Sequence, residues 1–294
     1  MLTYNTVAEL VEKAAGSGKT ISRVVLEDQA EQMELSPEAL YEDMKSTFYI
    51  MKESITNGIK QTAKSASGLS GGDAARLADR MRSGKNIGGT IFTGVLVKAL
   101  AVSEYNACMG KIAAAPTAGS CGILPSVLVT MMEERGLSEE KVVMSIFTAG
   151  AIGMVIAKEA YISGARGGCQ AECGSAAAMA AAALVELMDG TPAMAANAGA
   201  MAIKAVLGLV CDPVAGLVEV PCVKRNAMGA VNALAAAEMA LAGIESAIPV
   251  DDVIAAMKSV GDLMPACLKE TAKGGLADTR TGRSIAERIS GGEK

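Results

Sequence analysis

The chain contains no histidine and no tryptophan, and aromatic residues make up only 3% of its 294 positions. Without histidine, the side chain that most often serves as a general base near neutral pH is missing. Proton transfer therefore falls to carboxylates, lysines, hydroxyls or thiols, or to a group from another molecule. There is no excess of positive charge: 27 Lys and Arg stand against 32 Asp and Glu, for a net charge of −5. No basic patch stands out, which argues against nucleic acid and against an anionic membrane surface. Long β-branched alternation is absent, so strands are at most minor. No internal repeat, low-complexity tract or linker divides the chain. The opening MLTYNTVAEL has no basic segment followed by an apolar one, so no secretory signal is read and a cytoplasmic location is expected. In that reducing setting, seven cysteines are thiols, metal ligands or redox groups rather than disulfide staples.

What is present points to helices. Hydrophobic residues make up 51% of the chain, mostly Ala, Met, Val, Leu and Ile. Ala and Met favour helix, small side chains let helices approach closely, and Met fills irregular gaps. The fold class expected is all-α, one domain over 1–294, with a charged helical flank over 1–60 and a helical core over 61–294. LSPEAL (35–40) carries a start signal, Ser36 as N-cap and Pro37 in the first helical position. GLSEEKVVM (136–144) reads as a glycine stop followed by a cap at Ser138. Segments 175–188 and 225–243 read as Ala-rich helices, and 250–261 as a helix from an Asp251 cap to a Gly261 stop. Residues 142–157 lack charge but are too short to cross a bilayer comfortably. Residues 112–132 are long enough, but Pro116, Gly119, Gly122 and Pro125 make them a buried loop, so no membrane span is expected. KSASGLSGGDAAR (64–76) and SGKNIGGT (83–90) do not meet the phosphate-loop spacing. They read as loops, with backbone N–H groups that suit a small carboxylate as the alternative.

The cysteines carry the chemical interest. Cys169, Cys211 and Cys222 lie in turns punctuated by Gly and Pro, GARGGCQAECG (164–174) and CDPVAGLVEVPCVKRNAMG (211–229). Proline beside a thiolate fixes the turn and removes a competing N–H. Three thiolates with no fourth partner suit an iron–sulfur cluster with one open iron, although spacing alone leaves zinc and core packing open. Cys173 is four residues from Cys169 and on a helix would share its face. Cys108 and Cys267 read as small core residues, and Cys121 as either packing or a loop thiol.

Longer runs add a resemblance. GCQAECGSAAAMAAAALVEL, GLVCDPVAGLVEVPCVKRNAMGAVNAL and APTAGSCGILP, together with SGLSGGDA (67–74) and KETAKGGLADTRTG (269–282), closely resemble the iron–sulfur-dependent L-serine dehydratases. The likeness covers nearly the whole chain, and the length fits the separate α chain of the two-chain form. It implies a [4Fe–4S] cluster on Cys169, Cys211 and Cys222, no PLP, and a β chain as partner. It leaves Cys173 outside the ligand set, as a packing residue. The activity implied is conversion of L-serine to pyruvate and ammonia, with the open iron as Lewis acid on the β-hydroxyl.

The remaining roles are expectations about this sequence. Ser120 and Thr117, in PTAGSCG, are the catalytic candidates for substrate contact, against a reading in which they only bond their own loop. Lys64 and Ser67 are candidates for the substrate carboxylate. Arg225 and Asn226 are candidates to orient it or to hydrogen-bond the cluster. Asp212 lies beside Cys211 and reads as a possible cap. Two other functions fit the residues: a cluster-dependent lyase acting on L-cysteine or another β-substituted amino acid, and a zinc-stabilised helical scaffold with no activity.

Overall fold

The computed structural model describes residues 4–291, and among them are 13 α-helices and no strand. They are α1 (Val7–Ser17), α2 (Ile21–Met33), α3 (Pro37–Lys60), α4 (Asp73–Arg82), α5 (Gly89–Ala107), α6 (Ile123–Arg135) and α7 (Glu139–Glu159). A one-turn α8 (Gly164–Gly167) follows, then α9 (Ser175–Leu187), α10 (Pro192–Lys204), α11 (Cys222–Leu241), α12 (Val250–Leu263) and α13 (Arg280–Gly291). The all-α expectation holds. The only ladder-type contact among the described residues is an isolated parallel bridge between Cys211 and Lys269.

Many helix starts are made by the residue types that favour them. The side chains of Thr6, Thr20, Ser36, Ser138 and Thr191 each accept a hydrogen bond from the backbone N–H three residues on. Ser36 with Pro37 and Ser138 after Gly136 behave as the sequence pattern predicts. Asp251 does not cap its own helix. α12 starts at Val250 and runs through Gly261 to Leu263. The Asp251 carboxylate turns instead to α1, where it accepts from Val7 N at 2.8 Å and Ala8 N at 3.0 Å. A carboxylate at the positive end of another helix does the same electrostatic work as a local cap.

Segment 112–132 is a loop only in its first half. From Ile123 it is α6, and Pro125 is tolerated because the first-turn N–H groups of a helix have no intrahelical partner. Likewise the end of 64–76 is helical, because α4 begins at Asp73. There the buried Glu104 accepts from Asp73 N and Ala74 N, capping α4 from α5. Cys267, expected in the core, is exposed, in a short 3-10 turn after α12.

The centre of the molecule is α9. Every residue from Ser175 to Val185, and Leu187, is buried, and the helix packs against α10, α7 and α11. A helix apolar all round must be enclosed on all sides, and alanine is the side chain that lets three neighbours come close. One hydrophobic cluster of buried residues extends from Tyr4 to Met257. α7 is long and apolar enough to cross a membrane, but two-thirds (67%) of its apolar window is buried in this core. Its composition is that of a core helix packed on α9 and α2.

Candidate active site

Three chain segments bring the three cysteines together at one end of this core. Cys169 follows α8 and opens a single π turn, Gln170–Gly174, that runs into α9. Gln170 is fully buried and anchors that turn: its Nε2 donates to Gly167 O and Met257 O, and its Oε1 accepts from Gly208 N. Cys211 lies in the extended stretch after α10. Its N–H donates to Leu268 O at 2.9 Å, and its carbonyl accepts from Glu270 N at 2.7 Å. The terminal segment 269–278 is thereby docked against it. Cys222 is the first residue of α11, directly after the cis Val220–Pro221 bond.

All three thiols are buried, at 3%, 3% and 9% exposure. They are close enough to feel one another. Burial pushes the Cys211 thiol far up, and Cys169, Glu172 and Cys222 add to that. Cys222 is pushed up to about 12 by burial, with Cys169 and Glu172 contributing. Cys169 is the exception. Its hydrogen bond with Cys173, Sγ to Sγ 3.4 Å, lowers its pKa; burial opposes this and Arg225 reinforces it. Charge on Cys169 therefore disfavours charge on Cys211 and Cys222, a tension that a bound cation would relieve.

Glu172 completes the cluster, and the sequence reading passed over it. Its Oε1 accepts from Thr117 Oγ1 at 2.8 Å. Burial raises its pKa, the Thr117 hydrogen bond opposes that, and Glu270 raises it further. Two glycines make room for it. A Cβ on Gly119 would stand 2.9 Å from Glu172 Oε1, and one on Gly164 would stand 2.6 Å from Cys211 Sγ and 3.1 Å from Glu172 Oε2. The only sequence signal was an acidic residue between two cysteines in CQAEC.

The other candidates lie around this cluster, engaged in different ways. Arg225 is half-buried and donates to Val210 O at 2.8 Å and to Asp212 Oδ1 at 2.9 Å, and its charge lies near enough to Cys169 to favour the thiolate there. Asp212 is buried, and its second oxygen accepts from Leu276 N at 2.8 Å. Asn226 is buried, and its amide joins two site segments: Oδ1 accepts from Gly122 N, and Nδ2 donates to Gly119 O and Cys222 O. Thr117 lies 3.2 Å from Ser120 Oγ as well as on Glu172. Ser120 is fully buried and turned to Ala115 O and Thr117 O of its own loop. Lys64 donates to Gly71 O, within its own loop. Ser67 donates to Glu219 Oε1 at 2.7 Å while Ser65 donates to Oε2 at 2.6 Å. Glu219 is a second buried carboxylate the sequence reading missed, three residues before Cys222. Through it the SGLSGG loop is latched to the Cys222 segment.

No group of three or more Cys, Asp or Glu side chains among the described residues is arranged to hold a single metal ion. A structural zinc site needs four protein ligands converging on one point, and a catalytic one needs three and a water. A cluster several ångströms across needs thiols distributed around it, and three buried thiols on three separate segments fit that.

A family model described as "Serine dehydratase alpha chain" matches residues 16–277. The "Probable L-serine dehydratase, alpha chain" of Bacillus subtilis (strain 168) is 49% identical over 98% of this chain and 96% of its own length. The "L-serine dehydratase, alpha chain" of Peptoniphilus asaccharolyticus is 43% identical, covering 96% of both chains. The "L-serine dehydratase" of Streptomyces coelicolor is 39% identical over 93% of this chain, which spans 60% of that longer protein.

Proposed function

The chain belongs to the serine dehydratase alpha-chain family, and from that premise we propose that it converts L-serine to pyruvate and ammonia with a [4Fe–4S] cluster held by Cys169, Cys211 and Cys222. The observation that carries the cluster is the convergence of three buried thiols from three segments, in a chain with no histidine. When bound there, the cluster supplies a Lewis-acidic iron for the serine β-hydroxyl, polarising the bond to a poor leaving group.

The chain's own residues hold and orient. Arg225 sets its charge beside Cys169 and ties it to Asp212 and Val210 O, fixing the Cys169 and Cys211 segments relative to α11. Asn226 fixes the Thr117–Gly122 loop to the Cys222 turn. Glu172, with Oε1 held by Thr117, presents Oε2 to the substrate, where a carboxylate suits the ammonium group of serine. Ser120 bonds its own loop and Lys64 donates to Gly71 O, so both are engaged away from the substrate. We assign the α-proton to a group of a second chain. Two features support a partner. The relatives that match end to end are named alpha chains, and a relative named simply "L-serine dehydratase" is longer. A cleft of about 630 Å³ opens beside Glu219, walled by Leu217 and by Met109, which is 94% exposed.

The test is anaerobic purification of the chain with and without its partner, followed by iron and sulfide analysis and a pyruvate assay with L-serine, L-threonine and L-cysteine. Iron with sulfide and preferential turnover of serine support the reading. Stoichiometric zinc, or turnover of cysteine above serine, overturns it.

A further inference from the structure

Cys173 has no part in the function proposed above, yet its sulfur stands 3.4 Å from that of Cys169. Both residues are 3% exposed, Cys169 immediately before the π turn Gln170–Gly174 and Cys173 within it. Residues four apart in a helical segment have Cα atoms roughly 6 Å apart, inside the span a disulfide bridges. Glu172, between the two cysteines in sequence, is partly exposed.

We propose that Cys173 is the resolving thiol of Cys169, a modification site for hydroperoxides in the cluster-free chain. The Cys169 sulfur attacks one oxygen of hydrogen peroxide, the O–O bond breaks, and hydroxide leaves, so the sulfur is oxidised to a sulfenic acid. Cys173 then attacks that sulfur. The S–S bond forms, the S–O bond breaks, and the departing hydroxyl takes the Cys173 proton to leave as water. In sum the two thiols lose two hydrogens and one peroxide becomes two waters. A thiol reductant reverses the disulfide, whereas a sulfenic acid without a resolving partner goes on to the irreversible sulfinic acid. The pair thereby keeps the Cys169 ligand recoverable after oxidative loss of the cluster. This inference takes from the proposed function only that Cys169 is a ligand, and the disulfide forms or fails to form whether or not iron binds.

The test uses the full-length chain stripped of metal, treated with hydrogen peroxide under denaturant-free conditions, alkylated and digested with trypsin. Residues 167–204 form one tryptic peptide carrying Cys169 and Cys173 and no other cysteine. In the wild type this peptide loses two hydrogens, resists alkylation, and recovers both thiols with dithiothreitol. In Cys173→Ser, and in Cys173→Ala as a second variant, Cys169 instead gains two oxygens that dithiothreitol does not remove. After that cycle the wild type reloads iron and the variants do not, although all three load iron equally before oxidation. Equal sulfinic acid at Cys169 in wild type and variants, or a disulfide from Cys169 to Cys211 or Cys222, overturns the proposal. Failure of every form to load iron before oxidation would strike the proposed function and leave the disulfide result standing.

Discussion

Removing the Arg225 guanidinium with Arg225→Ala should unfasten the site more than any other single change outside the cysteines. The arginine side chain is 18% exposed and its partner Asp212 only 4%. The substitution deletes the hydrogen bonds to Val210 O and Asp212 Oδ1 and leaves the Asp212 carboxylate buried with only Leu276 N as donor. Breaking a buried ion pair from one side costs about 3–5 kcal/mol, because the remaining charge stays out of water. The exposure of Arg225 places the effect toward the low end. At roughly 2–4 °C per kcal/mol for chains approaching this size, a loss of about 3 kcal/mol lowers the melting midpoint by roughly 6–12 °C. The assay is thermal unfolding of the cluster-free chain, so metal binding does not enter. Asp212→Asn should lose less than Arg225→Ala, since its amide still meets Arg225 and Leu276 sterically and no lone buried anion remains. The double variant should fall well short of the sum of the two. A midpoint for Arg225→Ala within the error of the wild type, or strict additivity in the double variant, would refute the reasoning.

Three further outcomes follow from the same geometry. Glu172→Gln should keep its iron and raise KM for serine about tenfold or more, because a hydrogen bond to a charged group contributes roughly 1.5–3 kcal/mol; steady-state kinetics on protein with matched iron content checks this. Gly164→Ala places a Cβ 2.6 Å from Cys211 Sγ and should destabilise by about 1–3 kcal/mol through overpacking, with iron retention falling in parallel. Glu219→Ala removes the acceptor of the buried Ser65 hydroxyl and of the half-buried Ser67 hydroxyl; at about 1–3 kcal/mol for an unpaired buried group, its melting midpoint should drop further than that of Glu219→Gln, which keeps one acceptor.

The fold class was legible because composition and caps agree: Ala-rich runs, Ser36–Pro37 and Gly136–Ser138 are local signals, and local physics decides them. What depends on distant partners was not. Asp251 looks like a cap of its own helix, and only tertiary packing sends it to α1. Cys267 looks like a core residue because its neighbours in sequence are apolar, but a 3-10 turn holds it at the surface. Around the site, the three-cysteine pattern and the Arg225 and Asn226 positions could be picked out from their motifs. Glu172 and Glu219 could not, because a lone acidic residue carries no periodicity, and its burial against Thr117 or Ser65 is decided by loops brought together from elsewhere. Lys64 shows the converse. It is a cation in a glycine-rich loop, and the structure shows it engaged with Gly71 O of that loop.

The central claim is that Cys169, Cys211 and Cys222 hold an iron–sulfur cluster that acts on serine. Iron and acid-labile sulfide, measured beside serine turnover on anaerobically prepared wild type and the Cys169→Ser, Cys211→Ser, Cys222→Ser and Cys173→Ser variants, test it most directly. The account predicts equal iron and sulfide in the wild type and in Cys173→Ser, and loss of both metal and turnover in the other three. Full iron and turnover in any one of Cys169→Ser, Cys211→Ser or Cys222→Ser would contradict it.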